Sequence, residues 1–114
     1  MVSFKPCNET SGGAYYTARN ENGEELGNCS FEYAGFEMRF TSVSCEDDMI
    51  REGLARSAMN YCANRGAYVC YLGADMLSPA FVRLGFTKDN LTVEIPDALA
   101  SSCCACKEKG DTDD

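Results

Sequence analysis

Apolar and polar residues alternate along much of the N-terminal half of the chain, and this pattern is typical of β-strands with one buried face. The alternation covers residues 25–33 (ELGNCSFEY) and 36–44 (FEMRFTSVS), and residues 14–20 (AYYTARN) are predicted to form a strand before them. Asn22-Gly23 and Ala34-Gly35 supply turn residues between these segments. The pattern therefore predicts an antiparallel meander of strands. Residues 1–13 are polar, end in Ser11-Gly12-Gly13, and are predicted to be irregular.

The spacing of apolar residues changes from strand-like to helix-like after this meander. A stripe with the period of an α-helix is formed by Ile50, Leu54, Ala58, Tyr61 and Cys62. We predict that the helix begins at Ser44, which forms a capping box with Asp47, and that Gly66 caps its C-terminal end.

The rest of the chain reads as strand, short helix and strand. The continuous apolar run 67–73 (AYVCYLG) predicts a central strand, and 91–95 (LTVEI) predicts a final one. Between them, Ser78-Pro79 opens a short helix that Gly85 closes. Strands followed by helix, strand, helix and strand predict an α+β fold with a mixed sheet. We expect a single domain over residues 1–100 and a cysteine-rich acidic tail over 101–114.

Charge and composition exclude several classes of function. The formal net charge of the 114 residues is -8, which repels phosphate backbones and anionic lipid heads, so we expect no nucleic-acid and no membrane partner. The chain contains no histidine, which removes the commonest general base near neutral pH and any zinc site that needs imidazole. Because no segment has the pattern of a signal peptide or a membrane span, we expect a cytoplasmic protein with reduced thiols.

Three features further along the chain resemble the GNAT superfamily of acyl-CoA N-acyltransferases. They are Arg65-Gly66 at the helix end, the strand over 67–73, and Leu84-Gly85-Phe86. The resemblance covers roughly residues 14–95 and implies a mixed, mainly antiparallel sheet with helices packed on it. It implies acyl transfer from acetyl-CoA to a small-molecule or protein amine. The family's N-terminal strand and helices are expected to be shortened or missing, so that a second copy, in a homodimer, could complete the acceptor site.

The resemblance also implies where acetyl-CoA would bind. In the family, an R-x-x-G-x-G/A loop at a helix N-terminus holds the pyrophosphate through backbone N–H groups. Val43 and Ser44 would present amides to the acyl carbonyl, and Arg51, Gly53 and Arg56 would contact the cofactor.

The loop itself departs from the family pattern. Aligned on the upstream strand, Gly53 takes the last glycine and Arg51 replaces the first. Aligned on Arg65-Gly66, the loop becomes residues 46–51, with three carboxylates and no glycine. The carboxylates would disfavour a diphosphate unless Arg51 and Arg56 reach it. The alternative is that these carboxylates simply cap the helix.

The family's catalytic tyrosine is missing. The position four residues before Gly85 is Phe81, which has no hydroxyl to protonate a leaving thiolate. Tyr71, or Tyr68, could substitute from the neighbouring strand, although strand tyrosines usually pack. Cys45, expected in the first helical turn, is a candidate nucleophile.

Three cysteines near the C-terminus form a separate candidate site. Cys103, Cys104 and Cys106 are suited to zinc or another thiophilic metal, with Cys7 or another chain as the fourth ligand. The alternative is an exposed, oxidisable tail. Three hypotheses for function therefore stay open: an N-acetyltransferase, a catalytically degenerate GNAT-like module for binding or oligomerisation, and a thiol-based metal or redox protein.

Overall fold

A computed structural model describes residues 2–10 and 13–100 of the chain. Within this part, six strands form one sheet in the order of the sequence. The strands are β1 (Ser3–Thr10), β2 (Gly13–Arg19), β3 (Glu25–Ala34), β4 (Glu37–Cys45), β5 (Val69–Tyr71) and β6 (Thr92–Glu94). The helices are α1 (Asp48–Ala63), α2 (Pro79–Arg83) and α3 (95–100), with a 3-10 turn at Ala74–Met76.

The sheet is mixed and mainly antiparallel, as predicted. Strands β1 to β4 pair antiparallel in sequence order, and so do β5 and β6. Strands β4 and β5 are parallel, and α1 provides the crossover that a parallel pair requires. Cys70 of β5 pairs with Val93 of β6, so the last two strands lie in the same layer as the meander.

The N-terminal segment differs from the prediction. Residues 3–10 form β1, which pairs with β2 from Ser3 to Thr10, so the expectation of an irregular segment was wrong. An edge strand is held by backbone hydrogen bonds on one side only and does not need an apolar face. Pro6, which cannot donate a ladder hydrogen bond, is compatible with such an edge.

Helix α1 begins later and ends earlier than predicted. Ser44 is not its cap, because pairing with Asn28 of β3 keeps Ser44 in β4. The N-cap is Asp47, whose carboxylate accepts hydrogen bonds from the backbone N–H groups of Met49 and Ile50. The helix ends at Ala63, and Gly66 lies beyond its end with φ +102°.

The core lies between the sheet and the helices, and the predicted stripe of α1 faces it. Leu54, Ala58, Tyr61 and Cys62 are buried, and Ile50 is half-buried. On the sheet, Cys29, Phe31, Met38 and Phe40 are buried. Phe36 was predicted to share this face, but its side chain is 61% exposed because it belongs to the turn before β4. No helix in the described part of the chain has the length and apolar character needed to cross a membrane.

Candidate functional site

Strand β4 carries one extra residue near its middle. Phe31 of β3 pairs with Phe40, and the preceding Ser30 pairs with Ser42, so Thr41 is a β-bulge. A bulge bends its strand and increases the local twist. Beyond the bulge, Val43 lies opposite the buried Cys29 and shares its face of the sheet.

Strands β4 and β5 separate just before this bulge. Their parallel pairing covers Glu37, Met38 and Arg39 of β4, and β5 ends at Tyr71, the partner of Arg39. From Phe40 onwards, no described strand pairs with this edge of β4. Backbone N–H and C=O groups on such an edge are available to a ligand that carries amide groups.

A cleft of about 420 Å³ lies along this free edge of β4. Its walls are the free edge of β4, the first turns of α1 and the segment that leads into α2. The residues that line it are Thr41, Ser42, Val43, Arg51, Asp75, Met76, Leu77 and Ser78. This volume lies within the range of small-molecule sites. Because the lining contains one arginine and one aspartate, its formal charge balances.

The start of α1 is occupied by the protein's own carboxylate. Asp47 Oδ1 accepts from Met49 N at 2.9 Å and from Ile50 N at 3.2 Å. These are among the N–H groups that an incoming anion would use at a helix N-terminus. The signal for this cap was present in the sequence, since Asp is a preferred N-cap residue.

Both arginines near the start of α1 are held by acceptors of the protein. Arg51 donates to the backbone carbonyl of Cys45 and contacts Asp48 Oδ1 at 3.3 Å. Arg83 of α2 donates to Asp48 Oδ2 and to Glu52 Oε1, at 2.6 Å each. The hydrogen bond from Arg83 lowers the pKa of the Asp48 carboxyl.

The predicted cofactor residues do not all reach the cleft. Val43 and Arg51 line it, whereas Ser44 is exposed on β4 outside the lining. Gly53 faces β1, because a Cβ atom there would collide with the ring of Phe4. Arg56 is half-buried on α1, and its Nε has no hydrogen-bond partner among the described residues. A role for any of these residues in cofactor binding stays a prediction.

The predicted catalytic residues lie outside the cleft lining. Cys45 is the last residue of β4 rather than part of α1, and its Sγ lies 3.3 Å from the carbonyl oxygen of Asp47. Tyr71 places its hydroxyl 3.4 Å from Glu37 Oε2. Phe81 is fully buried, with ring centroids 5.3 Å from Phe40 and 5.8 Å from Phe86. Phe81 is therefore a core residue.

Ser78 is a lining residue that the sequence pattern did not reveal as functional. It is the N-cap residue of α2, yet its side chain makes no capping hydrogen bond. Its Oγ is buried and has no hydrogen-bond partner in the described part of the chain. The available signal, Ser before Pro, indicates a helix start and carries no information about a ligand.

Four cysteines, Cys29, Cys45, Cys62 and Cys70, are free thiols. Cys29, Cys62 and Cys70 are free and buried. Burial raises the pKa of Cys29 and of Cys62 to about 12 each, and raises that of Cys70 as well. No group of three His, Cys, Asp or Glu side chains in the described part of the chain could hold a metal ion. Cys103, Cys104 and Cys106 lie outside the described residues.

Solved structures with the same architecture are N-acetyltransferases. One from Exiguobacterium sp. 255-15, a putative acetyltransferase, superposes with a TM-score of 0.67 at 14% identity, over 90% of this chain and 98% of the other. The ribosomal-protein-S18-alanine N-acetyltransferase of Escherichia coli gives a TM-score of 0.62 at 10% identity, over 83% and 94%. This chain has the GNAT fold. A further GNAT-family N-acetyltransferase from Escherichia coli, solved with CoA, gives a TM-score of 0.56 at 12% identity, over 75% and 61%.

Comparison of sequences alone finds no relative of this chain among protein-family models or curated proteins. In addition, the structural likeness covers only part of some of the solved structures. The chain spans less than half the length of some of the proteins with this fold, for example 49% of a putative acyl-CoA N-acyltransferase from Klebsiella pneumoniae.

Only part of an acetyl-CoA molecule fits the residues of this GNAT fold. The free edge of β4 suits the uncharged arm of the molecule, which carries two amide groups. The start of α1 does not suit the diphosphate, because Asp47 occupies the N–H groups and Glu46 and Asp48 stand beside it. The lining of the cleft, which has no net formal charge, is therefore compatible with the neutral arm, whereas the acidic start of α1 is not compatible with the diphosphate.

Proposed function

We propose that this protein binds an acyl thioester in the cleft along the free edge of β4 and transfers the acyl group to an amine. The observation that carries the proposal is the separation of β4 from β5 after Arg39, which leaves a polar backbone edge along a cleft of about 420 Å³. An extended arm that carries amide groups can pair with such an edge as an added strand does. The GNAT fold supports the reaction class only by analogy.

Direct transfer of an acyl group from a thioester to an amine requires few catalytic side chains. The amine nitrogen attacks the carbonyl carbon, the carbon–sulfur bond breaks, and the nitrogen releases its proton to water. The leaving thiolate takes a proton back from water, and we propose that Ser78 stabilises the thiolate as a hydrogen-bond donor. Its hydroxyl oxygen has no partner in the described structure, and the residue lines the cleft. The acceptor is a small-molecule or protein amine.

Thermal unfolding with S-acetylpantetheine and acetyl-CoA tests whether the cleft binds a thioester. A ligand that binds only the folded protein raises the melting temperature, and at about 100 times its Kd it adds about 2.7 kcal/mol. Ser42→Trp should abolish the shift, because Ser42 is exposed and lines the cleft. Glu32→Trp is the matched control, since Glu32 is exposed on the neighbouring strand β3 outside the lining. If neither thioester shifts the transition at millimolar concentration, the proposal is wrong.

A catalytically degenerate binding or oligomerisation module is the second candidate function. The buried Phe81 favours it, because the family's catalytic hydroxyl is missing from that position. Acyl transfer to a mixture of amines, followed by mass spectrometry, separates the two candidates. Binding without transfer would support the module, and sedimentation would then show whether the chain forms the expected homodimer. We also propose a cytoplasmic location, which the free thiols Cys29, Cys45, Cys62 and Cys70 support.

A further inference from the structure

The charges around the start of α1 do not favour a phosphate group. Glu46, Asp47, Asp48 and Glu52 contribute four negative charges, and Arg51 and Arg83 contribute two positive charges. The balance of this group is an excess of two negative charges. A helix N-terminus offers only about half a positive charge to set against that excess.

The N–H groups of Met49 and Ile50 and the two arginines at this point already have hydrogen-bond partners within the protein. The Asp47 carboxylate takes the hydrogen bonds from Met49 N and Ile50 N. Arg51 donates to the Cys45 carbonyl and to Asp48. Arg83 joins two carboxylates across α1 and α2. Arg56, the next cation along α1, does not line the cleft.

The cleft itself has a different character from its surroundings. Arg51 and Asp75 are the charged residues in its lining, and their formal charges cancel. The hydroxyls of Thr41, Ser42 and Ser78 and the unpaired edge of β4 supply uncharged hydrogen-bonding groups. Such a lining suits a neutral arm with amide groups.

We propose that the cleft recognises its acyl thioester through an uncharged, amide-containing arm, and that phosphate groups attached to this arm weaken binding. The proposed substrate is thus an acyl thioester of the pantetheine type that places no diphosphate at the start of α1. The inference rests on the proposed function and specifies the donor substrate.

Isothermal titration with S-acetylpantetheine and acetyl-CoA, at two ionic strengths, tests the inference. S-acetylpantetheine is neutral, so its Kd should stay constant when the ionic strength rises from about 0.01 M to about 0.1 M, over which the Debye length falls from about 30 Å to about 10 Å. Acetyl-CoA should bind no more tightly than S-acetylpantetheine at low salt. The affinity for acetyl-CoA should rise as salt screens the repulsion. If the site instead attracted phosphate, the affinity would fall as the salt concentration rises.

A charge-neutralising variant locates the repulsion. Glu46→Gln combined with Asp47→Asn removes two charges at the start of α1, and asparagine remains a good N-cap residue. At low salt this variant should bind acetyl-CoA about tenfold more tightly, a change of about 1.4 kcal/mol, with S-acetylpantetheine unchanged. Glu32→Gln combined with Asp89→Asn is the control, because both side chains are exposed and outside the cleft lining. The control should produce a clearly smaller change.

The outcomes distinguish a failure of this inference from a failure of the proposed function. If acetyl-CoA binds about tenfold more tightly than S-acetylpantetheine, or weakens with salt, the inference is wrong and the proposed function stands. An equal gain in the control variant also overturns it, because the repulsion would then come from the overall charge of -8. If neither ligand binds the parent protein, the proposed function fails and the inference fails with it.

Discussion

Arg83 of α2 contacts Asp48 at the start of α1, with Arg83 Nη2 lying 2.6 Å from Asp48 Oδ2. The same guanidinium donates through Nε to Glu52 Oε1 at 2.6 Å, and the backbone N–H of Ala80 donates to Asp48 Oδ1 at 3.1 Å. Asp48 thus joins the first turn of α1 to the first turn of α2. Arg51 and Ser78, which lie beside these turns, line the cleft, so this contact joins the two elements that carry them.

We expect the stability of the protein to fall in acid partly through Asp48. The hydrogen bond from Arg83 lowers the pKa of Asp48 in the folded state. A carboxylate with a lower folded pKa stabilises the protein above its unfolded pKa, about 3.9, and this contribution is lost as the pH falls through the folded pKa. Asp48→Asn should therefore flatten the acid limb of melting temperature against pH. Asp89→Asn, in the exposed turn before β6, is the control. Parallel acid limbs for parent and Asp48→Asn would contradict the prediction.

Gly53 and Phe4 should be coupled in stability. Alanine at position 53 would place its Cβ against the ring of Phe4, and such overpacking costs about 1–3 kcal/mol. The same substitution gains about 1 kcal/mol of helix propensity. We therefore expect Gly53→Ala to be destabilising or neutral in the parent.

The sign should reverse once the ring of Phe4 is removed. In a Phe4→Ala background, Gly53→Ala should stabilise the protein by up to about 1 kcal/mol, because only the propensity term remains. A double-mutant cycle by urea unfolding measures the coupling. Equal effects of Gly53→Ala in both backgrounds would show that the ring of Phe4 is not the reason why position 53 requires glycine.

Ser78→Ala should affect the stability of the protein and the binding of the thioester in different ways. The Oγ atom is buried without a hydrogen-bond partner in the described structure, and an unsatisfied buried hydroxyl costs about 1–3 kcal/mol. The variant should therefore be as stable as the parent or more stable. If the hydroxyl serves the thioester, S-acetylpantetheine should bind more weakly. Ser57→Ala, on α1 outside the cleft lining, is the control for binding. Weaker folding with unchanged binding would assign Ser78 a structural role alone.

The buried thiols should resist alkylation in the folded protein. Burial raises the pKa of Cys29 and Cys62 to about 12, so almost no thiolate forms at ordinary pH, and the thiolate is the nucleophile. Iodoacetamide labelling with peptide mass spectrometry should leave both unmodified until the protein unfolds. The same protein in denaturant is the control, and fast labelling of the native protein would contradict the prediction.

The same pKa shifts predict the alkaline behaviour of the fold. Thiols with a raised folded pKa stabilise the protein below their unfolded pKa of about 8.5, and this stabilisation is lost as the pH rises from there towards the folded pKa. The urea midpoint should therefore fall above about pH 8.5. Cys62→Ala should reduce the fall of the urea midpoint with rising pH. An unchanged slope of the midpoint against pH would contradict the prediction.

The sequence determined the features that depend on local periodicity. Alternation predicted β3 and β4, and the helical stripe predicted the buried face of α1, since each pattern records which side of an element is buried. Leu84-Gly85-Phe86 ended α2 as expected, with Leu84 and Phe86 buried and Gly85 at φ +111°. The resemblance that rests on these residues led to the correct fold.

Only the tertiary structure decided the features that depend on pairing between distant segments. Strand β1 exists because β2 offers it a backbone edge, and Asp47 replaces Ser44 as the cap because β3 holds Ser44 in β4. Thr41 and Ser78 are 37 positions apart in the sequence, and they line one cleft because β4 bends away from the short β5. Side-chain periodicity reports burial along one segment, whereas backbone pairing and a cleft wall require the partner segment to be in place.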